Sequence, residues 1–378
     1  MKALSLAHGL SFDDLYDREG LARLDVAFVD WLRDANVDVH ARLMAARGAP
    51  DDLAAKDESN LLIELARPLE DFIGALFGIA AETAALRQRD AKFAPLYDCK
   101  RLFVQRYVTR SIKADVAVAL DGASVTAAVA LPAALDDLEA WELAFAIAVR
   151  DALGAEFKVD KPSPRIEALT QYAAWALHSA EGKARHRAGP LFKVPHKLDF
   201  EHLVPIETEV ADGVTRIRLP RALLRHREGF ALTDAGFDPV RALDHANYCI
   251  WCHNQGKDSC SRGLKDRKTG LFQKSPFGVT LAGCPLEEKI SEMNLLKSEG
   301  FSIGALAVAA TSGLSTAAMA SAPIEKPSLL RRFISEIFSS SGQPARVTPN
   351  GDFWNAPVLR SFKPREQESL PWLWHQMQ

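Results

Sequence analysis

Four of the five cysteines, Cys249, Cys252, Cys260 and Cys284, fall in one short window of the chain. The first two belong to Cys249-Ile-Trp-Cys252-His253, and the last opens Cys284-Pro285. Thiolates are soft ligands and select iron–sulfur clusters, zinc or copper(I) over hard cations. Two cysteines separated by two residues can grip one centre from a single turn. An odd, clustered set of thiols reads as metal-ligating or catalytic in a reducing compartment, not as a disulfide framework. Cys99 lies far away in Leu96-Tyr-Asp-Cys99-Lys-Arg-Leu-Phe103 and reads as a small buried core residue.

Several chemistries compete for these cysteines. A third cysteine near the first pair, followed later by Cys-Pro, is similar to the ligand arrangement of bacterial ferredoxins. A structural zinc site would use all four thiolates in a tetrahedron, although zinc modules more often pair two Cys-x-x-Cys knuckles. Cys249, Cys252 and His253 also match the c-type haem attachment motif, Cys-x-x-Cys-His. Haem attachment normally happens outside the cytoplasm, and it would leave the other cysteines unused. A redox dithiol at Cys249 and Cys252 lacks the expected βαβ context.

Further residues carry a family resemblance. The run Gly283-Cys-Pro-Leu-Glu-Glu-Lys-Ile-Ser-Glu-Met-Asn294, followed by Gly300 and Ala305-Leu306, resembles the helical ferredoxin domain of glutamate synthase small subunits. The same domain opens dihydropyrimidine dehydrogenase. The stretch from Leu21 to about Val308 also resembles the front of large FAD-dependent pyridine-nucleotide oxidoreductases. The resemblance implies [4Fe–4S] clusters that relay electrons between flavins. By position, Cys249, Cys252 and Cys260 match the cysteines of one cluster, and Cys284 matches a ligand of the second. No cysteine follows Cys284 and no Gly-x-Gly-x-x-Gly occurs. A complete cluster therefore requires all four local cysteines. The resemblance places the FAD and NAD(P) sites on a flavoprotein subunit or on a downstream domain missing from this chain. The chain is then expected to stop before the flavin domain. No catalytic residue is assigned.

The expected fold is mainly α. A helical domain covers 1–182, a basic linker and β-hairpin cover 183–240, a partial helical-ferredoxin-like cysteine domain covers 241–308, and a divergent, partly disordered tail covers 309–378. Apolar residues from Leu21 to Met44 share one helical face. Ser59 reads as the cap of a short helix over 60–66, with Pro68 opening a longer one. Asp136 and Glu139 have capping-box spacing ahead of a helix that Gly154 stops. Ser163-Pro164 opens a further helix that ends at Gly182. Residues 114–130 suit either a hairpin or two broken helical turns. Asp212-Gly213 lies between alternating apolar residues, which is a hairpin signal.

A basic run over 183–197 reads as either a docking surface for an acidic partner or a solvated linker. Lys257 and Arg262 flank the cysteines, where they could offset negative charge or simply face solvent. The formal net charge of −3 gives no global field for nucleic acid. The N-terminus has only a short apolar run before His8 and Asp13-Asp14, so no secretory signal is read and a cytoplasmic location is expected. The uncharged stretch 300–324 is long enough for a membrane span, but its serines and threonines favour a buried helix or irregular segment. Residues 331–338 suit a short amphipathic helix, and Trp354, Trp372 and Trp374 suit docking on a partner.

Overall fold

The computed structural model describes residues 6–49, 52–131, 137–159, 161–195, 198–224, 229–230, 236–284 and 288–319. The expected tail from 309 begins inside a helix, Ser302–Met319, that crosses the expected boundary at 308; its part beyond 319, with the amphipathic helix and tryptophans, lies outside the described residues. So do Asp136 and the Pro285 that follows Cys284. The described residues are mainly helical, with a single two-stranded antiparallel sheet. No helix among them is long and apolar enough to cross a membrane. The chain divides into two compact units, one formed by 1–91 with 245–378 and the other by 92–244. This division differs from four consecutive segments, because the chain after residue 245 returns to the N-terminal helices.

In the first unit, Asp17 caps the helix Arg18–Ala35, accepting from the Gly20 N–H. The single apolar face over 21–44 is carried by two helices. Asn36 leaves helical geometry and accepts from the Val39 N–H, ending one helix and starting the next, Val37–Gly48. Periodicity passes through such a break unseen, because the side-chain oxygen substitutes for the lost backbone partner. The opposite correction applies at Pro68. It lies inside one continuous helix, Ala55–Leu76, and does not open a second. An internal proline costs about 3 kcal/mol. Here Leu61, Leu62, Leu65, Leu69 and Phe72 on both sides of it are buried. Fully burying each such side chain contributes roughly 1.5–3 kcal/mol, so packing outweighs the defect. Phe72 sits at the centre, with its ring 5.4 Å from Phe28 and 6.0 Å from Trp31.

The helices Ile290–Ser298 and Ser302–Met319 both pack on Ala55–Leu76. Glu70 locks the second in place. It is 2% exposed, and its Oε2 accepts from the backbone N–H groups of Ile303 (2.9 Å) and Gly304 (3.1 Å). Its Oε1 accepts from Arg87 at 2.9 Å. A buried carboxylate thus satisfies two orphan donors at a helix start. Glu70→Ala should destabilise the protein by about 3 kcal/mol, because it strands those N–H groups and leaves Arg87 only its bond to Asp71. Urea denaturation will measure this, and a loss below about 1 kcal/mol would show that the cap does not form.

In the second unit the helix Leu138–Leu153 is capped by Asp137, one residue beyond the expected Asp136, and ends at Gly154 with φ 78°. Ser163 caps Pro164–His178. That helix stops at Ser179, whose Oγ accepts from the Gly182 N–H and starts a short helix, Ala180–Arg185. Gly182 therefore lies inside a helix and does not terminate one. Residues 114–130 form two short helices, Ala114–Val118 and Gly122–Val129. The hairpin pairs β1 (Glu207–Ala211) with β2 (Val214–Arg218), with Ala211 opposite Val214. Asp212 and Gly213 turn it with φ 54° and 76°, as a two-residue primed turn requires.

His186 leaves the basic run altogether. It is buried, with Nδ1 2.8 Å from Glu142 Oε1 and Nε2 2.8 Å from the Tyr172 hydroxyl. The other Glu142 oxygen accepts from the Leu191 N–H at 2.8 Å. Cys99 is fully buried in the same core, and loss of solvation pushes its thiol well up.

Candidate metal centre

The cysteine region belongs to the first unit and is built on two helices distant in sequence. The 3-10 turn Cys252–Gln255 packs on both Ala55–Leu76 and Ile290–Ser298. Just before it, Trp251 adopts φ 49°, and Asp258 adopts φ 39° after it. Left-handed backbone at non-glycine residues costs roughly 1–3 kcal/mol each and persists where surrounding structure demands it. Both residues stand at sulfur contacts. The Trp251 N–H donates to Cys249 Sγ at 3.4 Å, and the Ser259 N–H donates to Cys252 Sγ at 3.1 Å. The backbone therefore curls around two sulfurs and points donors at them.

Cys252 is buried, Cys249 half-buried and Cys260 more exposed. Partial burial pushes the Cys260 thiol up to about 11, and the neighbouring Cys252 and Cys249 sulfurs add to the rise. These three thiols share one electrostatic neighbourhood. Cys284 joins through its backbone, its N–H donating to the Cys260 carbonyl at 2.9 Å. That junction depends on two glycines. A Cβ on Gly263 (φ 79°) would lie 2.6 Å from Ala282 backbone, and one on Gly283 (φ 87°) would lie 2.3 Å from the Gly263 nitrogen.

Beneath the sulfurs lies a buried polar cluster. Lys289 Nζ, fully buried, donates to Glu58 Oε2 at 3.3 Å and to Asp258 Oδ2 at 3.5 Å. Ser59 Oγ donates to Glu292 Oε1. Burial, then the Asp258 charge, pushes the Glu292 carboxyl up. His253 Nδ1 shares a 2.7 Å hydrogen bond with Ser291 Oγ, and burial pushes the imidazole down towards its neutral form. Arg262 approaches Glu58 at 3.8 Å, so it serves an ion pair as well as meeting solvent.

Four buried polar atoms in this cluster have no hydrogen-bond partner among the described residues. They are His253 Nε2, Asp258 Oδ1, Ser261 Oγ and Glu292 Oε2. Each such atom costs about 1–3 kcal/mol unless something else satisfies it. Two of them, on His253 and Ser261, can act as donors toward a sulfide or thiolate. Those two donors suit a thiolate-bound centre with a hydrogen-bonding second layer, whereas the carboxyl oxygens of Asp258 and Glu292 call for a donor or a cation. Among the described residues, no three His, Cys, Asp or Glu side chains are arranged around one metal-ion position. A four-iron cluster takes its thiolates on separate irons and does not need them to meet at one point.

Sequence reasoning located the four cysteines but missed the cluster below them. Glu58 and Ser59 lie almost two hundred residues upstream; Ser59, expected to cap a helix, instead lies inside Ala55–Leu76, and no local pattern marks either as a partner of this cluster. Lys289, Ser291 and Glu292 stand within the run that follows Cys284, so their types were visible while their partners were not.

A family profile described as the RP005 N-terminal alpha-helical domain matches residues 6–78. That stretch holds the three N-terminal helices, including the one carrying Glu58, Ser59 and Glu70. The chain is also similar to uncharacterized protein RP005 of Rickettsia prowazekii (strain Madrid E), with 27% identity over 309 residues. The match covers 78% of this chain and 99% of the relative. No solved structure matches.

Proposed function

We propose that the cysteine region is an iron–sulfur electron-transfer module, with Cys249, Cys252 and Cys260 holding a [4Fe–4S] cluster and Cys284 as the fourth local thiolate. The carrying observation is the pair of backbone N–H groups aimed at Cys249 Sγ and Cys252 Sγ from strained turns. Bound there, a cluster supplies one-electron redox chemistry. The chain's own residues would bind it, shield it from water and set its potential through hydrogen bonds to sulfur. Cys252 anchors the buried side, while Ser291 orients His253 beside it.

In this reading the module belongs to a glutamate synthase-like, flavin-dependent oxidoreductase. FAD and NAD(P) are carried by a separate flavoprotein subunit or a downstream domain. The module does not turn over substrate alone. The resemblance around Cys284 supports this assignment.

Anaerobic purification with iron, acid-labile sulfide and zinc analysis tests the reading, together with a visible spectrum. Iron and sulfide in matching amounts, with broad absorbance at roughly 400 nm, are expected. Stoichiometric zinc without iron would establish a structural zinc site of four thiolates instead. A sharp Soret band would establish haem at Cys249, Cys252 and His253.

A further inference from the structure

Between Cys260 and Cys284 the chain makes an excursion that contributes little to the core. Among residues 262–282, Gly263 and Ser275 are buried, and most of the rest are exposed. The excursion is nonetheless ordered by its own backbone. The Leu264 N–H donates to the Leu281 carbonyl (2.9 Å), that of Gln273 to Leu264 (2.8 Å), and that of Leu281 to Gln273 (2.9 Å). Bridges join Lys265 to Phe272 and Lys274 to Thr280. At its base the Cys284 N–H meets the Cys260 carbonyl, so the loop is fastened directly to two of the cysteines.

The loop presents one kind of chemistry. Arg262, Lys265, Arg267, Lys268 and Lys274 are all exposed, against the single acid Asp266. Asp266 is already engaged, accepting from the backbone N–H groups of Lys268 and Thr269. Lys265, Arg267, Lys268 and Lys274 form no ion pair among the described residues; Lys265 lies over the Phe272 ring, 5.2 Å from its centroid. Beside the charges stand Leu271 at 71% exposure and Phe277 at 52%. In a chain of net charge −3 this concentration is local. Unpaired cations around exposed apolar side chains match an interface with a polar rim and an apolar centre. They would speed the encounter with a partner of opposite charge.

We propose that the 262–283 loop is the docking surface for an acidic redox protein, holding it at the rim of the cysteine site. This proposal rests on the iron–sulfur reading for its purpose, but its binding is separately measurable. A mixed cationic and apolar surface favours a folded acidic protein over nucleic acid, because Leu271 and Phe277 need an apolar complement; an anionic membrane supplies one too and is an outcome of the test below.

The test uses the full chain and flavodoxin, an acidic flavoprotein, as the probe. Fluorescence anisotropy of labelled flavodoxin gives the affinity at low and high salt, with iron content measured on the same samples. The comparison variant carries Lys265→Glu, Arg267→Glu, Lys268→Glu and Lys274→Glu, and its fold is checked by circular dichroism. A second variant, Leu271→Ser with Phe277→Ser, removes the apolar component. We expect binding that weakens with salt and falls by at least about tenfold on charge reversal. Binding that is equal in wild type and charge-reversed variant, or no binding by a wild type that does carry iron, would overturn the proposal. Tighter, charge-dependent binding to duplex DNA or phosphatidylglycerol vesicles would also overturn it. Loop-dependent flavodoxin binding by a protein without iron would uphold the docking surface and reject the cluster.

Discussion

Lys289→Ala is expected to destabilise the protein by about 3–5 kcal/mol, the cost of removing one partner from a buried ionic group. The Lys289 side chain is fully buried and faces both Glu58 and Asp258, whose side chains are 9% and 8% exposed. Removing the ammonium leaves two carboxylates near each other in a poorly solvated place, with Glu292 adding a third acidic group. The penalty comes from that stranded charge and not from any large net gain in forming the pair. A matched variant separates the two. Lys289→Met with Glu58→Gln and Asp258→Asn removes the charges together and should recover most of the loss. Urea denaturation of both proteins gives the answer. A Lys289→Ala penalty under about 1 kcal/mol would mean that water reaches these groups.

Cys252→Ser should reduce bound iron and sulfide by more than about tenfold, since even changes outside the first ligand shell cost 10–100-fold in metal affinity. Serine is nearly isosteric, but its oxygen is a hard ligand and is protonated at neutral pH. Cys252 is also the most buried of the four clustered cysteines and receives the Ser259 N–H. Cys99→Ala is the control. Its thiol is held protonated by the core and lies in the other unit, so iron content should stay unchanged. Wild-type iron in Cys252→Ser, or equal loss in Cys99→Ala, would reject the assignment of these residues.

Local signals were legible wherever one short stretch contains the whole interaction. The Asp212-Gly213 turn is an example, because two residues with positive φ suffice to set the strand register. Ser163 and Gly154 mark helix ends for the same reason. The burial of Cys99 follows from its residue type, since an isolated cysteine behaves as a small apolar side chain. Local signals misled where two neighbouring possibilities share a pattern. Asn36 interrupts a face that periodicity shows as continuous, and Pro68 fails to interrupt one that chemistry says it should. His186 looked like part of a charged run, because the Glu142 that buries it stands far away in sequence.

By itself the sequence determined the mainly helical class, the hairpin, and the identity and grouping of the four thiols beside Lys257 and Arg262. These follow from residue types and short spacings, which local backbone geometry reads directly. Only the tertiary structure decided what lies against those thiols. The chain after residue 245 folds back on the Ala55–Leu76 helix, because the Ile290–Ser298 and Ser302–Met319 helices bury apolar side chains there. That long-range burial brings Glu58 and Ser59 under Lys289 and Glu292, and it sets buried polar atoms beside the sulfurs. Hydrophobic packing is non-directional and indifferent to sequence separation, so no local pattern announced which distant residues would meet at the cysteines.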